Sequence, residues 1–356
     1  MRLLVTGGAG YIGSVAAAVL VQDGHQVTVL DDLSTGHADA VPKGAEFVRG
    51  TLRAGARGVL AGGIDAVLHF AAKSLVGESV AEPARYWEHN LGGTLALLEA
   101  MRLEGVRRIV FSSTAAVYGD PDRIPIDEAA PTRPASPYGA SKLAVDTALA
   151  EYVRLHRIGA VSLRYFNVAG ACSDPASGWL GERHANETHL IPNVLAAAAR
   201  LGTAAGAGAR AGGPGRAGGP GRAGGAAADA VQIFGDDYPT RDRTCVRDYI
   251  HVNDLARAHL LALDYLAKRG TSACMNCGYG HGFSVREVVD AAKKITGIDF
   301  KVEEAPRRPG DPPALIADSS LLRSRTGWQP RHDDLEFIIR TAWQWESALK
   351  KTGRLR

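Results

Sequence analysis

Leu3-Leu-Val-Thr-Gly7-Gly-Ala-Gly10-Tyr11-Ile12-Gly13 sets the architecture of this 356-residue chain. A short apolar strand runs straight into three spaced glycines. The helical stretch Gly13–Asp23 follows, and Asp31-Asp32 close the next apolar strand, Val27–Leu30. The glycines permit a tight turn, close approach of backbone to a pyrophosphate, and close packing of helix on sheet. The helix N-terminus offers unpaired N–H groups to phosphates. An acidic side chain about twenty residues on suits ribose hydroxyls and repels a 2′-phosphate, which favours NAD over NADP. A tight turn with a capping aspartate would also fit the glycines. The order strand, glycine loop, helix, strand, acid argues for the dinucleotide cradle.

Outward from that loop, short apolar strands alternate with helical stretches: Ala66–Phe70, the helix Asn90–Leu103, Arg108–Ser112, then Val161–Tyr165. Runs of Val, Ile and Leu are what strands buried on both faces require. The expectation is an α/β chain with a doubly wound parallel (Rossmann) sheet over residues 1–168 and a smaller α/β substrate domain over 169–356. Residues 246–266 are expected to pack back on the first domain, and Asp333–Lys350 to form a final amphipathic helix. Residues 202–230 are nearly all Ala, Gly, Pro and Arg and repeat Arg-Ala-Gly-Gly-Pro-Gly at 210 and 216. Too little apolar surface is available there to offset the entropy of ordering, so the stretch reads as a flexible surface insert.

With 46% hydrophobic residues the chain can bury a sizeable core, and a net charge of +3 points to no nucleic-acid partner. No apolar run reaches membrane-spanning length. The strand begins at Arg2, leaving no room for a signal peptide, and the four cysteines fit a reducing cytoplasm. Cys274-x-x-Cys277 has half the spacing of a zinc site, but no second pair accompanies it, so no metal is expected.

Tyr138 and Lys142 stand four apart in Ser136-Pro-Tyr-Gly-Ala-Ser-Lys142, one face of a helix. An ammonium about 4 Å from a phenol, at an effective dielectric of about 20, favours the phenolate by roughly 4 kcal/mol. That is roughly three pKa units, enough to make the tyrosine a base near neutrality. Thr114, after the strand ending Phe111-Ser112-Ser113, is placed to hydrogen-bond a reacting hydroxyl. The three predict hydride and proton transfer at a carbinol carbon.

At this point the chain resembles the extended short-chain dehydrogenase/reductase family, and within it the UDP-glucose 4-epimerases. The resembling stretches are Thr6–Ser14, His69-Phe-Ala-Ala72, Val76-Gly-Glu-Ser79, Phe111–Asp120, Ser136–Lys142 and Leu163-Arg-Tyr-Phe-Asn167. Phe234–Thr240, Val246–Val252 and Arg307–Asp311 continue the likeness. The resemblance implies a 4-epimerase interconverting UDP-galactose and UDP-glucose through a transient 4-keto sugar with tightly bound NAD. It implies Tyr138 as base, Lys142 as its partner and ribose ligand, and Thr114 as sugar contact. Further cofactor contacts are implied at Phe70, Ala71, Ala72, Asn90, Ser112 and Tyr165, and UDP-sugar contacts at Asn167, His189, Leu190, Phe234, Arg247, Arg308, Asp311 and Leu315. Asn90 also reads as a helix N-cap. A homodimer through helices near 87–103 and 139–156 is implied as well.

Related sugar-nucleotide dehydratases carry an acid directly after the threonine, where this chain has Ala115-Ala116; neither can move a proton, which favours epimerisation. Alternatives are a 4-epimerase of another nucleotide sugar and, in a different class, a non-catalytic NAD-binding regulator. Leu315, where relatives place a gate for the sugar 2-substituent, opens UDP-N-acetylglucosamine as a substrate. Gly50-Thr51 replaces the usual Gly-Asp, weakening an expected adenine contact.

Overall fold

The computed structural model describes residues 1–208, 230–269, 271–308 and 311–352. Seven strands build the central sheet: β1 (Arg2–Thr6), β2 (Gln26–Asp31), β3 (Glu46–Arg49), β4 (Ala66–His69), β5 (Arg108–Thr114), β6 (Gly159–Tyr165) and β7 (Ala273–Cys277). All neighbours pair in parallel, in the order β7-β6-β5-β4-β1-β2-β3. The alternation of side chains explains why both faces are apolar. Leu3, Val5, Val29, Leu68 and Val110 enter one core with Leu255 and Leu263, while Leu4, Leu30, Val67 and Ile109 enter another with Leu97, Met101, Val145 and Leu149. Burying each such Val or Leu contributes roughly 2 kcal/mol. The doubly wound sheet predicted from the sequence is the observed one.

The chain runs outward from β1 to β3, then returns to place β4 on the other side of β1. That reversal opens a crevice at the carboxyl ends of β1 and β4, the usual place for a ligand in such sheets. After β6 the path leaves the sheet. Asn167–Ala169 pairs with Tyr249–His251, and Ala171–Asp174 with Gly178–Gly181. Val246–Arg247 pairs with Phe283–Ser284 and with Ala314–Leu315, and Ala230–Phe234 with Lys301–Ala305. The helix Val252–Arg269 then packs on the helix Tyr11–Gln22, with an Arg257–Asp23 ion pair at 2.7 Å, before β7 closes the sheet edge.

The helix Leu190–Gly208 runs seven residues into the Ala/Gly-rich stretch that reads as an insert, a correction to where that stretch begins. Residues 209–229 lie outside the described residues. Cys274 and Cys277 fall three apart on the extended strand β7, so they face opposite sides and cannot chelate together.

Candidate active site

A cleft of about 590 Å³ opens above the crevice. Its floor is the cradle: Gly7, Gly10, Tyr11, Ile12 and Gly13, with Asp31 and Asp32 at one end and Phe70, Ala71 and Ala72 at the tip of β4. The glycines are forced by the space. A Cβ on Gly13 would stand 2.2 Å from the Gly7 carbonyl oxygen, and one on Gly7 would meet the Ala71 nitrogen at 2.5 Å. Asp31 is almost wholly buried and accepts hydrogen bonds from the Ala9 and Leu33 N–H groups at 3.0 and 2.8 Å. Burial holds its carboxyl above the ordinary range despite those two bonds. Asp32 goes the other way: burial pushes it up, but hydrogen bonds from Ser34 and the charge of Lys73 leave it lowered. A dinucleotide fits this cradle, since bare backbone lies where its phosphates would press and a carboxylate lies where its ribose would.

Thr51 lines the far end and caps the helix Leu52–Leu60, its hydroxyl accepting the Ala54 N–H at 3.3 Å. The threonine in the place of an aspartate therefore has a local structural task. Lys73, which the sequence reading overlooked, is buried in the cleft wall and donates to Ser34 Oγ at 3.0 Å. A charged residue directly after the apolar tip His69-Phe-Ala-Ala was the available signal. Asn90 is not in the wall. Its amide bridges the Lys73 backbone, at 2.8 and 3.1 Å, and Ser141 Oγ at 3.0 Å. It sits within a π-helical turn, Trp87–Gly92, and braces the loop after β4 against the next helix.

That helix, Pro137–His156, starts because Ser136 accepts the Gly139 N–H at 3.2 Å and Pro137 occupies its first turn. It presses close on the segment after β5: a Cβ on Gly139 would lie 2.5 Å from the Ala116 carbonyl oxygen. The approach brings Tyr138 to Thr114 at the end of β5, and both line the cleft with Ser112, Lys142 and Tyr165. Tyr165 hydrogen-bonds Ser112 through its hydroxyl. The Tyr86 ring meets that of Tyr138 edge-on, centroids 6.3 Å apart.

Burial works against the charged pair expected from the sequence. Burial raises the Tyr138 pKa, with only the Thr114 hydroxyl pulling it down. The Lys142 ammonium donates to the Ser112 carbonyl at 2.8 Å and rests 4.7 Å over the Phe111 ring. Burial lowers its own pKa to about 7, against a small rise from Asp146. Among protein groups alone, burial disfavours the charged form of both members of the pair.

At the other end of the cleft, Asn167, His189, Leu190, Arg247 and Leu315 form the wall. Arg247 is buried and paired with Asp311 at 2.5 Å, and it stands opposite Leu315 in the strand register. Phe234, Arg308 and Asp311 are outside the wall. Arg308 lies 4.1 Å over the Phe234 ring. His189 is drawn into a cluster with Glu182, His184 and Glu187; burial opposes, but the two carboxylates raise His184 to about 9 and His189 to about 10.

The family model described as "NAD dependent epimerase/dehydratase family" matches residues 3–278. A protein named UDP-glucose 4-epimerase from Streptomyces lividans is 49% identical over 356 aligned positions, covering 98% of this chain and 97% of that one. The protein of that name from Corynebacterium glutamicum is 47% identical, with 98% and 97% covered. A crystal structure of the UDP-glucose 4-epimerase from Stenotrophomonas maltophila, with bound NAD and formylated UDP-arabinopyranose, superposes with a TM-score of 0.87 at 39% identity, covering 99% of each chain.

Proposed function

Because the chain belongs to the NAD dependent epimerase/dehydratase family, we infer that it interconverts UDP-galactose and UDP-glucose by inverting carbon 4 of the sugar. The observation that carries this reading is the set Thr114, Tyr138 and Lys142 at one end of a glycine cradle, with Ala115-Ala116 where an eliminating acid would stand. NAD, when bound in the cradle, supplies reversible oxidation at carbon 4. Tyr138 takes and returns the proton of the 4-hydroxyl, and Thr114 orients that hydroxyl. Lys142, fixed by the Ser112 carbonyl, supplies the positive charge that a tyrosinate needs; the pair is poised for this once a nucleotide adds its own charges. Arg247, held by Asp311, is the cleft's buried cation for the UDP end. Tight nucleotide contacts and a loosely held sugar follow, since the ring must present both faces in turn.

Residues 1–168 with β7 form the cofactor half, and most of 169–356 the substrate half. Trp87, Leu95, Leu103 and Leu155 expose large apolar side chains on the helices near 87–103 and 139–156. This supports a homodimer through those helices. A cytoplasmic location accords with four free cysteines. The test is to incubate purified protein with UDP-galactose and no added NAD. UDP-glucose appears if the reading is right, and Tyr138→Phe loses at least about 100-fold in rate. No product with NAD added as well rejects it.

A further inference from the structure

Glu182, His184, Glu187 and His189 alternate through the short segment between the hairpin strand Gly178–Gly181 and the helix Leu190–Gly208. Their side chains converge. Nδ1 of His184 lies 3.1 Å from Glu182 Oε1 and 3.6 Å from Glu187 Oε2. Nδ1 of His189 lies 2.5 Å from the same Glu182 oxygen and 3.3 Å from Glu187 Oε1. One ligand atom from each residue lies within 4.8 Å of all the others. The two imidazole rings are tilted by 59° with centroids 5.5 Å apart, so they do not stack.

Around a tetrahedral zinc ion with bonds of about 2.0–2.1 Å, donor atoms stand about 3.3 Å apart. The observed spacing needs shifts of an ångström or so to match. The carboxylates are deep: the Glu182 and Glu187 side chains are 7% and 6% exposed. Two buried carboxylates at such close quarters need positive charge between them, which protons on the two imidazoles supply in the metal-free chain and which one divalent ion would supply in their place. We propose that Glu182, His184, Glu187 and His189 bind one divalent transition-metal ion of the Zn²⁺ class. Mixed imidazole and carboxylate donors select against Mg²⁺ and Ca²⁺, which take oxygen ligands. Four protein ligands leave no open position, so the ion is structural and takes no part in the chemistry of the cleft.

The segment is built to present these ligands. Trp345 Nε1 donates to the Glu182 carbonyl at 2.8 Å, and Arg183 pairs with Asp39 at 2.5 Å. Glu187 Oε1 accepts the Thr188 and His189 N–H groups at 2.9 Å each. The ion cross-links the entry to the helix whose first residue, Leu190, lines the cleft beside His189.

The proposal is tested on the full, untagged chain, with metal as the readout. After stripping with a chelator, titration with Zn²⁺ alone should reach one ion per chain, and His184→Gln and Glu182→Gln should each weaken binding by at least about 100-fold. Co²⁺ in place of Zn²⁺ should give the intense visible bands of a tetrahedral site, and zinc-edge X-ray absorption on wild-type protein should show nitrogen and oxygen neighbours. Absence of stoichiometric binding, affinity unmoved by both variants, or sulfur neighbours would each overturn it. The wild-type spectra decide the matter if the variants fail to fold, and none of these readouts depends on turnover.

Discussion

Lys142 shows how far a side chain's chemistry departs from its name. Buried, it is held at about 7, well below an ordinary lysine, by loss of solvation. For a base with a depressed folded pKa, the cost to stability is fully present below that value and fades as pH rises toward the unfolded value of about 10.4. Lys142→Met therefore stabilises the nucleotide-free chain by a few kcal/mol at about pH 6 and by much less at about pH 10, while abolishing turnover. Urea denaturation at the two pH values checks the sign; equal gains at both would refute the assignment. That Tyr138, Lys142 and Thr114 meet in one cleft was legible from spacing and position. Their protonation was not, because it depends on how deeply the fold buries the phenol and the ammonium. Glu182-x-His184-x-x-Glu187-x-His189 was also visible as letters, yet only the turn between hairpin and helix makes its four donors converge.

Among elements, the helix Leu52–Leu60 illustrates a substitution with two consequences. Thr51→Ala removes the cap on this helix and costs about 1 kcal/mol, whereas Thr51→Asp keeps a capping oxygen and costs little. Thermal melts of the two variants separate a capping role from a purely cofactor-binding one; equal melting temperatures would sink the capping account. Strand positions were read to within one or two residues, since buried parallel strands are unbroken apolar runs. The π-helical turn carrying Asn90 was not readable. Its extra residue per turn re-aims the amide toward Lys73 and Ser141, and no sequence period signals that shift.

On the scale of the whole molecule, the exposed side chains of Leu103 and Leu155 belong to helices proposed as the dimer face. Charging both, as Leu103→Glu with Leu155→Glu, should convert dimer to monomer in sedimentation velocity at micromolar concentration. A wild-type chain that already sediments as a monomer would reject the interface. The proposed division into a cofactor half and a substrate half rests on a change in element rhythm near residue 168. That one strand of the central sheet comes from beyond residue 270 was not legible, because Ala-Cys-Met-Asn-Cys carries no signal of which edge it will join.

That late strand has a consequence for how the chain is made. As it leaves the ribosome, β1 to β6 are complete by residue 165, yet β6 then has an open ladder edge facing solvent until residue 277 has emerged. An uncovered strand edge invites pairing with other nascent chains. The sheet thus waits through more than a hundred residues of synthesis before its last edge is occupied. Aggregation during that interval, more than the stability of the finished fold, is the hazard this topology imposes on expression.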